Sequence, residues 1–303
     1  MKEVKLCSPF SNIAKWQMTK VSVITPSFDQ AQFIGRTLQS VITQTGVEIE
    51  HVVIDGGSGD NTVQILKDFG PSVRWVSEKD GGQANAVNKG IRATDGEIIG
   101  WLNSDDIYYP DAVARAVELF HARPDIDVVY GDADHIDTND LAFESYPTEA
   151  WNFDRLKDVC FISQPATFFR RSVFEKYGDL DESLNYCMDY EYWLRLGKAG
   201  VRFHYIEQKM AGSRLYAGNK TLGSRMKVHS EINDMLKKKF GVVSFRWLRG
   251  YAHVAAQARV DFSQHPYCFN LCKLLILSYA VCRWNSWSIV SSTQNANASR
   301  SKG

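Results

Sequence analysis

Residues 99–110, I-G-W-L-N-S-D-D-I-Y-Y-P, constrain this chain more than any other segment: an apolar run closes on two adjacent carboxylates and a turn. A strand that stops on Asp-Asp places hard oxygen ligands at the carboxyl edge of a sheet, which is where open α/β folds bind ligands. A second apolar run, His51 to Ile54, ends on Asp55 and enters Gly56-Gly57-Ser58-Gly59-Asp60. Both acids belong to the same recurring pattern.

Through the first two thirds, short apolar runs alternate with amphipathic stretches. Strands are expected at Val21–Thr25, His51–Ile54, Val73–Ser77, Glu97–Leu102 and Asp127–Tyr130, and helices at Gln30–Gln44, Thr62–Phe69, Gly82–Ala93 and Asp111–His121. Such alternation predicts an α/β fold, a mainly parallel sheet flanked by helices. Asp132 to Pro165 is irregular and aromatic, either an acceptor loop or a plain connection. A helix over Asp189–Ala199 and an edge strand over Val201–Ile206 follow. Beyond Thr221 the pattern is almost wholly helical, punctuated at Gly241, Gly250 and Pro266, and polar Ser291–Gly303 reads as disordered. The expected division is a domain over 1–223 and a helical extension over 224–303.

With 303 residues, 44% of them apolar and 23% charged, the chain has the size and composition of a globular protein with a substantial core. Its formal net charge of zero conceals an asymmetry. From Val242 onward seven Lys and Arg face one acid, Asp261, whereas 28 basic and 34 acidic residues precede it. That balance argues against a nucleic-acid binder and for a basic accessory segment. The six cysteines form no C-x-x-C pair, and Cys268 with Cys272 lacks the His cluster of a zinc site. Reduced thiols in a cytoplasmic protein are expected. The first residues do not read as a signal peptide, and no run reaches the ~20 apolar residues of a bilayer span.

Four constellations carry chemistry. The first strand ends T-P-S-F-D-Q, bringing Thr25, Pro26, Ser27 and Asp29 beside Asp55. A buried strand-end acid needs a partner, and Asp55 either accepts from a base N–H or ribose hydroxyl or closes its own turn. The spacing is not that of a dinucleotide fingerprint. Gly81 and Gly82 open a helix carrying Asn85, Asn88 and Lys89; its N-terminus favours an anion, and Lys89 either neutralises a phosphate or is simply solvated. Asn103, Ser104, Asp105 and Asp106 are the metal candidate: Mg²⁺ and Mn²⁺ need only one or two protein carboxylates beside water and substrate oxygens. The alternative is a pair of helix-capping acids. In M-D-Y-E-Y-W, Asp189 suits a general base, although an acid is stabilised at any helix start. Together these point to a nucleotide-sugar held with a divalent cation.

V-S-V-I-T-P-S-F, V-V-I-D-G-G-S-G-D-N-T, G-W-L-N-S-D-D-I-Y and M-D-Y-E-Y-W-L-R-L, in this order, resemble the family 2 glycosyltransferases of the Rossmann-like GT-A fold over about Val21 to Thr221. The resemblance implies an inverting transferase that moves a sugar from a UDP-, GDP- or dTDP-linked donor to a glycan or lipid-linked acceptor in polysaccharide or glycolipid biosynthesis. It implies Mn²⁺ or Mg²⁺ at Asp105 and Asp106, a nucleobase contact at Asp55 and a general base at Asp189. Three positions depart from the family pattern: Asn103 stands for the first acid of the D-x-D motif, Met188 for a Glu before the base, and Tyr216 for a late metal-binding His. Those departures motivate a rival reading, a non-catalytic nucleotide-sugar or glycan-binding relic. A nucleotidyltransferase would want Gly, Lys or Arg after the first strand, which T-P-S-F-D-Q lacks.

In the tail, Leu271, Leu274, Leu275 and Leu277 lie among Lys273, Arg283, Trp284 and Trp287. The segment either packs on the catalytic domain or a second copy in a homo-oligomer, or lies peripherally on the inner face of a membrane.

Overall fold

The computed structural model describes residues 19–300, with side chains to residue 285. Cys7, the Trp287 side chain and residues 301–303 of the tail lie outside the described residues.

Four strands, β1 (Lys20–Ser27), β2 (Glu48–Asp55), β3 (Arg74–Ser77) and β4 (Ile98–Trp101), pair in parallel in the order β3-β2-β1-β4. β1 is buried from Val21 to Ser27, as a strand covered on both faces should be. Helices Ile34–Ile42, Thr62–Asp68 and Gln83–Arg92 supply the crossovers. Gly90 is where one of them touches the sheet: a Cβ there would stand 2.4 Å from Ile24 Cγ2, so only glycine permits this approach. The register sets Ser27, Asp55 and Ser77 side by side at the carboxyl edge.

The sheet then changes character. β5 (Ile107–Tyr108), β6 (Val128–Ile136), β7 (Ala142–Ser145), β8 (Thr167–Arg170) and β9 (Phe203–Arg214) complete nine strands among the described residues, in the order β3-β2-β1-β4-β8-β6-β9-β5 with β7 beside β6. β8 is antiparallel to β4 and β6, whereas β6 and β9 run parallel over a long register with a shift at Asp132. The longest pairings, β1–β2 and β6–β9, are thus parallel. Val21, Ile98, Val117, Phe120, Val129 and Phe168 belong to one core cluster.

Two expectations need correction. The edge strand expected over Val201–Ile206 is longer than that: β9 runs from Phe203 to Arg214, pairs with β6 alone over Phe203–Ile206, and is flanked by β5 as well only at Ala211 and Gly212. Its exposed Glu207-Gln208-Lys209 interrupts the apolar pattern, although the residues beyond are buried again. The irregular stretch 132–165 contains the end of β6, β7 and a helix, Phe153–Asp158.

The chain divides into two compact units, one reaching Phe153 and resuming over Phe161–Tyr216, the other comprising Asp154–Cys160 and the chain from Ala217. The second holds helices Lys220–Gly223, Arg225–Phe240, Phe245–Gln257 and Pro266–Arg300. It buries Ile232, Leu236, Leu248, Ala252, Phe269 and Trp284. The Trp284 indole N–H donates to Asp234 at 2.8 Å. Helical backbone continues through Ser291–Arg300, where disorder was expected. Among the described residues no helix is long and apolar enough to cross a membrane.

Candidate functional site

The end of β2 is a closed hydrogen-bond cage. Asp55 is fully buried; its Oδ2 accepts from the Ser58 N–H (2.9 Å), the Gly57 N–H (3.2 Å) and the Ser77 hydroxyl (2.6 Å), and its Oδ1 from the Ser58 hydroxyl (2.5 Å). A carboxylate offers about four lone-pair positions. Four donors from its own surroundings reach it, three on Oδ2 and one on Oδ1, so in this geometry Asp55 closes its turn.

Asp29, in the left-handed region at φ 52°, clasps this turn to the end of β1. Its N–H donates to Ser58 Oγ and its Oδ1 accepts from the Gly59 N–H, both at 2.8 Å. Thr25 is buried, with its hydroxyl 3.0 Å from His51 Nε2. Burial holds His51 neutral, its pKa pushed down to about 3. Pro26 is buried in register with Ile54. Thr25 and Pro26 are therefore scaffold rather than donor contacts. Ser27 is different: its buried hydroxyl has no hydrogen-bond partner among the described residues, which leaves a polar group at the ligand edge.

The helix-start residues are likewise used internally. The Gly81 N–H donates to Asn85 Oδ1 (3.1 Å), and the Asn85 amide donates to Glu182 (2.9 Å). Asn88 is fully buried; it donates to the Leu180 carbonyl (3.0 Å) and Glu182 (2.8 Å) and accepts from the Leu180 N–H (3.0 Å). Asn88 is a clamp on Leu180–Glu182, not a donor ligand. Lys89 pairs with Glu78 at 2.9 Å, and that bond raises the Lys89 pKa and lowers that of Glu78.

Beyond β4 the arrangement is acidic. The Asn103 Oδ1 accepts from the Trp101 indole (2.9 Å) and the Gln83 amide (2.8 Å), while its Nδ2 donates to Gln164 (2.8 Å) and Asp106 (3.2 Å). Asn103 thus holds the loop and has no room to act as a ligand. Ser104 is buried too, its carbonyl bonded by the Thr37 hydroxyl at 2.9 Å, so it is not exposed to a donor. Asp106, 4% exposed, accepts from the Arg214 N–H at 2.8 Å. Asp105 is only partly buried and receives the Tyr216 hydroxyl at 3.3 Å.

Burial raises the pKa of both acids, Asp106 well above the usual carboxylate range, where the charge of Asp105 adds to the effect. Arg214 lies fully buried nearby, but its guanidinium donates to the Asp105 main-chain carbonyl (2.7 Å), the Asp137 carbonyl and Asp140, and stacks over Phe33 at 4.7 Å. The carboxylate pair is short of positive charge. A divalent cation fits that deficit, with Asp105 as the accessible ligand and Asp106 behind it. No group of three or more His, Cys, Asp or Glu side chains suited to a metal occurs among the described residues, so water and donor oxygens would complete such a shell. The Tyr216 hydroxyl is pushed up to about 12 by burial and by Asp105, and so remains a neutral donor.

Asp189 lies partly buried in the first turn of the helix Met188–Lys198, its Oδ1 accepting from the Tyr190 N–H at 2.7 Å. Glu191 is fully buried against Arg195, at 3.1 and 3.3 Å, and cannot reach an acceptor. Sequence reasoning missed Gln83, Gln164, Glu182 and the bracing role of Arg214. Only Arg214 had a local signal, its place two residues before Tyr216.

The glycosyl transferase family 2 profile matches residues 22–178, just over half of the chain, including β2, β3, β4 and most of β1. The chain belongs to this family. A Mycobacterium tuberculosis glycosyltransferase is 36% identical over 179 residues, covering 58% of this chain and 68% of the relative. A Rickettsia conorii glycosyltransferase is 28% identical over 73% of this chain and 38% of its own length. Escherichia coli chondroitin synthase is 27% identical over 75% of this chain and 34% of its own. The chain spans between 38% and 65% of the length of the Rickettsia relatives. Among solved structures, S. aureus TarS in complex with UDP-GlcNAc superposes with a TM-score of 0.58 at 16% identity, over 88% of this chain and 81% of TarS. The Pyrobaculum calidifontis mannosyltransferase PcManGT, in complex with GDP-Man and Mn²⁺, gives 0.56 at 16% identity, over 94% and 90%. The fold is GT-A.

Proposed function

We propose that this family 2 glycosyltransferase moves a sugar, with inversion, from a nucleotide-sugar to an acceptor hydroxyl in polysaccharide or glycolipid synthesis. One observation carries the reading: the Asp105–Asp106 pair is held at the sheet edge by Arg214, Asn103 and Tyr216, short of positive charge. A Mn²⁺ or Mg²⁺ bound there supplies Lewis-acid charge to the diphosphate leaving group. Asp105 would hold it, and Asp106 fixes the loop from behind. Ser27 offers a hydroxyl to the nucleoside at the ends of β1 and β2. Asp189 removes the acceptor proton as the hydroxyl attacks the anomeric carbon opposite the nucleoside diphosphate.

TarS with UDP-GlcNAc and the mannosyltransferase with GDP-Man and Mn²⁺ support a donor of this class, UDP-, GDP- or dTDP-linked. Chondroitin synthase supports a glycan acceptor. Cys160, Cys187, Cys268, Cys272 and Cys282 are free thiols, which supports a cytoplasmic protein.

The test is a panel of nucleotide-sugars screened by thermal shift with and without Mn²⁺, followed by turnover. Asp189→Asn should keep donor binding and lose roughly 10²–10⁴-fold in transfer. Undiminished transfer by that variant would overturn the assignment of the base. Donor binding without turnover in the unmodified protein would favour the non-catalytic relic.

A further inference from the structure

The helix beginning at Pro266 belongs to the second unit, and packing fixes which way it faces. Phe269, Ala280 and Trp284 are at most 2% exposed and point inward. Phe269 meets Phe262 edge-on at 5.2 Å, and Trp284 meets Tyr251 edge-on at 4.9 Å. At 100° per residue the opposite face carries Tyr267, Leu271, Leu274, Leu275, Ser278, Tyr279 and Cys282. Its leucines and tyrosines are 56–90% exposed, and Phe262 in the preceding turn is 56% exposed. Four turns of helix therefore present an apolar, uncharged face outward, which monomeric soluble surfaces rarely do. Leu277, by contrast, is half-buried and takes less part.

Charge identifies the occupant. Residues 217–285 contain eleven Lys and Arg against three acids, Glu231, Asp234 and Asp261. A second copy docked on this face would bring two such basic units together. An anionic bilayer surface instead attracts them while its acyl boundary takes up the leucines. We propose that the 267–282 face of this helix lies in the interface of a membrane containing anionic lipid. Leu271, Leu274 and Leu275 are the apolar anchors. The contact is peripheral, since no described helix is long and apolar enough to span. It stands independently of the proposed donor chemistry.

The experiment is flotation of the full chain with phosphatidylglycerol–phosphatidylcholine vesicles and with phosphatidylcholine alone. Binding should require the anionic lipid and weaken roughly ten-fold when ionic strength is raised to shorten the Debye length. The combined variant Leu271→Gln, Leu274→Gln and Leu275→Gln should abolish flotation while circular dichroism and thermal midpoint stay unchanged, because the replaced side chains are exposed. Failure of the unmodified chain to float with anionic vesicles at low salt overturns the proposal. So does equal flotation of the variant. Light scattering that shows a dimer in the unmodified chain and a monomer in the variant would assign the face to self-association instead.

Discussion

Strands β2 and β4 deliver acids to the same edge of one parallel sheet, and the fold treats those acids in opposite ways. At the end of β2, Asp55 has four hydrogen-bond donors from its own turn and from Ser77, so its charge is satisfied within the protein. Beyond β4, Asp105 and Asp106 lie next to each other with one peptide N–H, one amide and one phenol between them. Their pKa values rise, whereas the nearest guanidinium, that of Arg214, is engaged elsewhere. A satisfied buried carboxylate stiffens a fold; an unsatisfied pair costs stability until a cation arrives. The difference separates scaffold from candidate ligand site more sharply than the shared motif does.

The largest expected effect comes from removing the deficit. Asp105→Asn should lower metal-dependent transfer about 10³-fold, several kcal/mol of leaving-group stabilisation, and should abolish the Mn²⁺-induced thermal shift. The metal-free proteins should also differ with pH. Because the folded pKa of the pair lies above the ordinary value of 3.8, the native state holds more protons than the unfolded chain between the two values. Stability of the unmodified protein should therefore fall as pH rises from about 4 through the raised pKa, and Asp105→Asn should flatten that slope in denaturant melts. A steeper slope in the variant would break the comparison.

Asp55→Asn tests its other half. The amide would turn an N–H₂ toward N–H and hydroxyl donors, costing about 2–4 kcal/mol of folding stability with little effect on donor affinity in the folded fraction. A variant as stable as the parent but unable to bind donor would show that Asp55 touches the nucleobase after all. The smallest effect belongs to Tyr216→Phe. Losing a 3.3 Å bond to Asp105 should weaken Mn²⁺ affinity by less than about ten-fold, near 1 kcal/mol, without changing the fold. Calorimetric titration of both proteins reads that difference directly.

The alternation of apolar and amphipathic segments determined by itself that the first four strands would be parallel, and where each would stop to within two residues. Those features are local: an apolar run is buried as far as it extends, and an acid at its end lies at the edge. Asp55, Asp105 and Asp106 were legible for that reason, and Asp189 for its place at a helix start. Which of them is satisfied was not. Asp106 meets Arg214 across 108 residues, Asn103 meets Gln164 across 61, and Asn88 holds Glu182 across 94. No periodicity encodes such pairs. The antiparallel strand β8 and the β5 pairing at the end of β9 are equally non-local, since their partners are chosen by packing after the chain has returned. The tail divides the same way: its leucines were visible in the sequence, but only the burial of Phe269, Ala280 and Trp284 decided that Leu271, Leu274 and Leu275 face outward. A helix can turn any side inward until tertiary contacts select one.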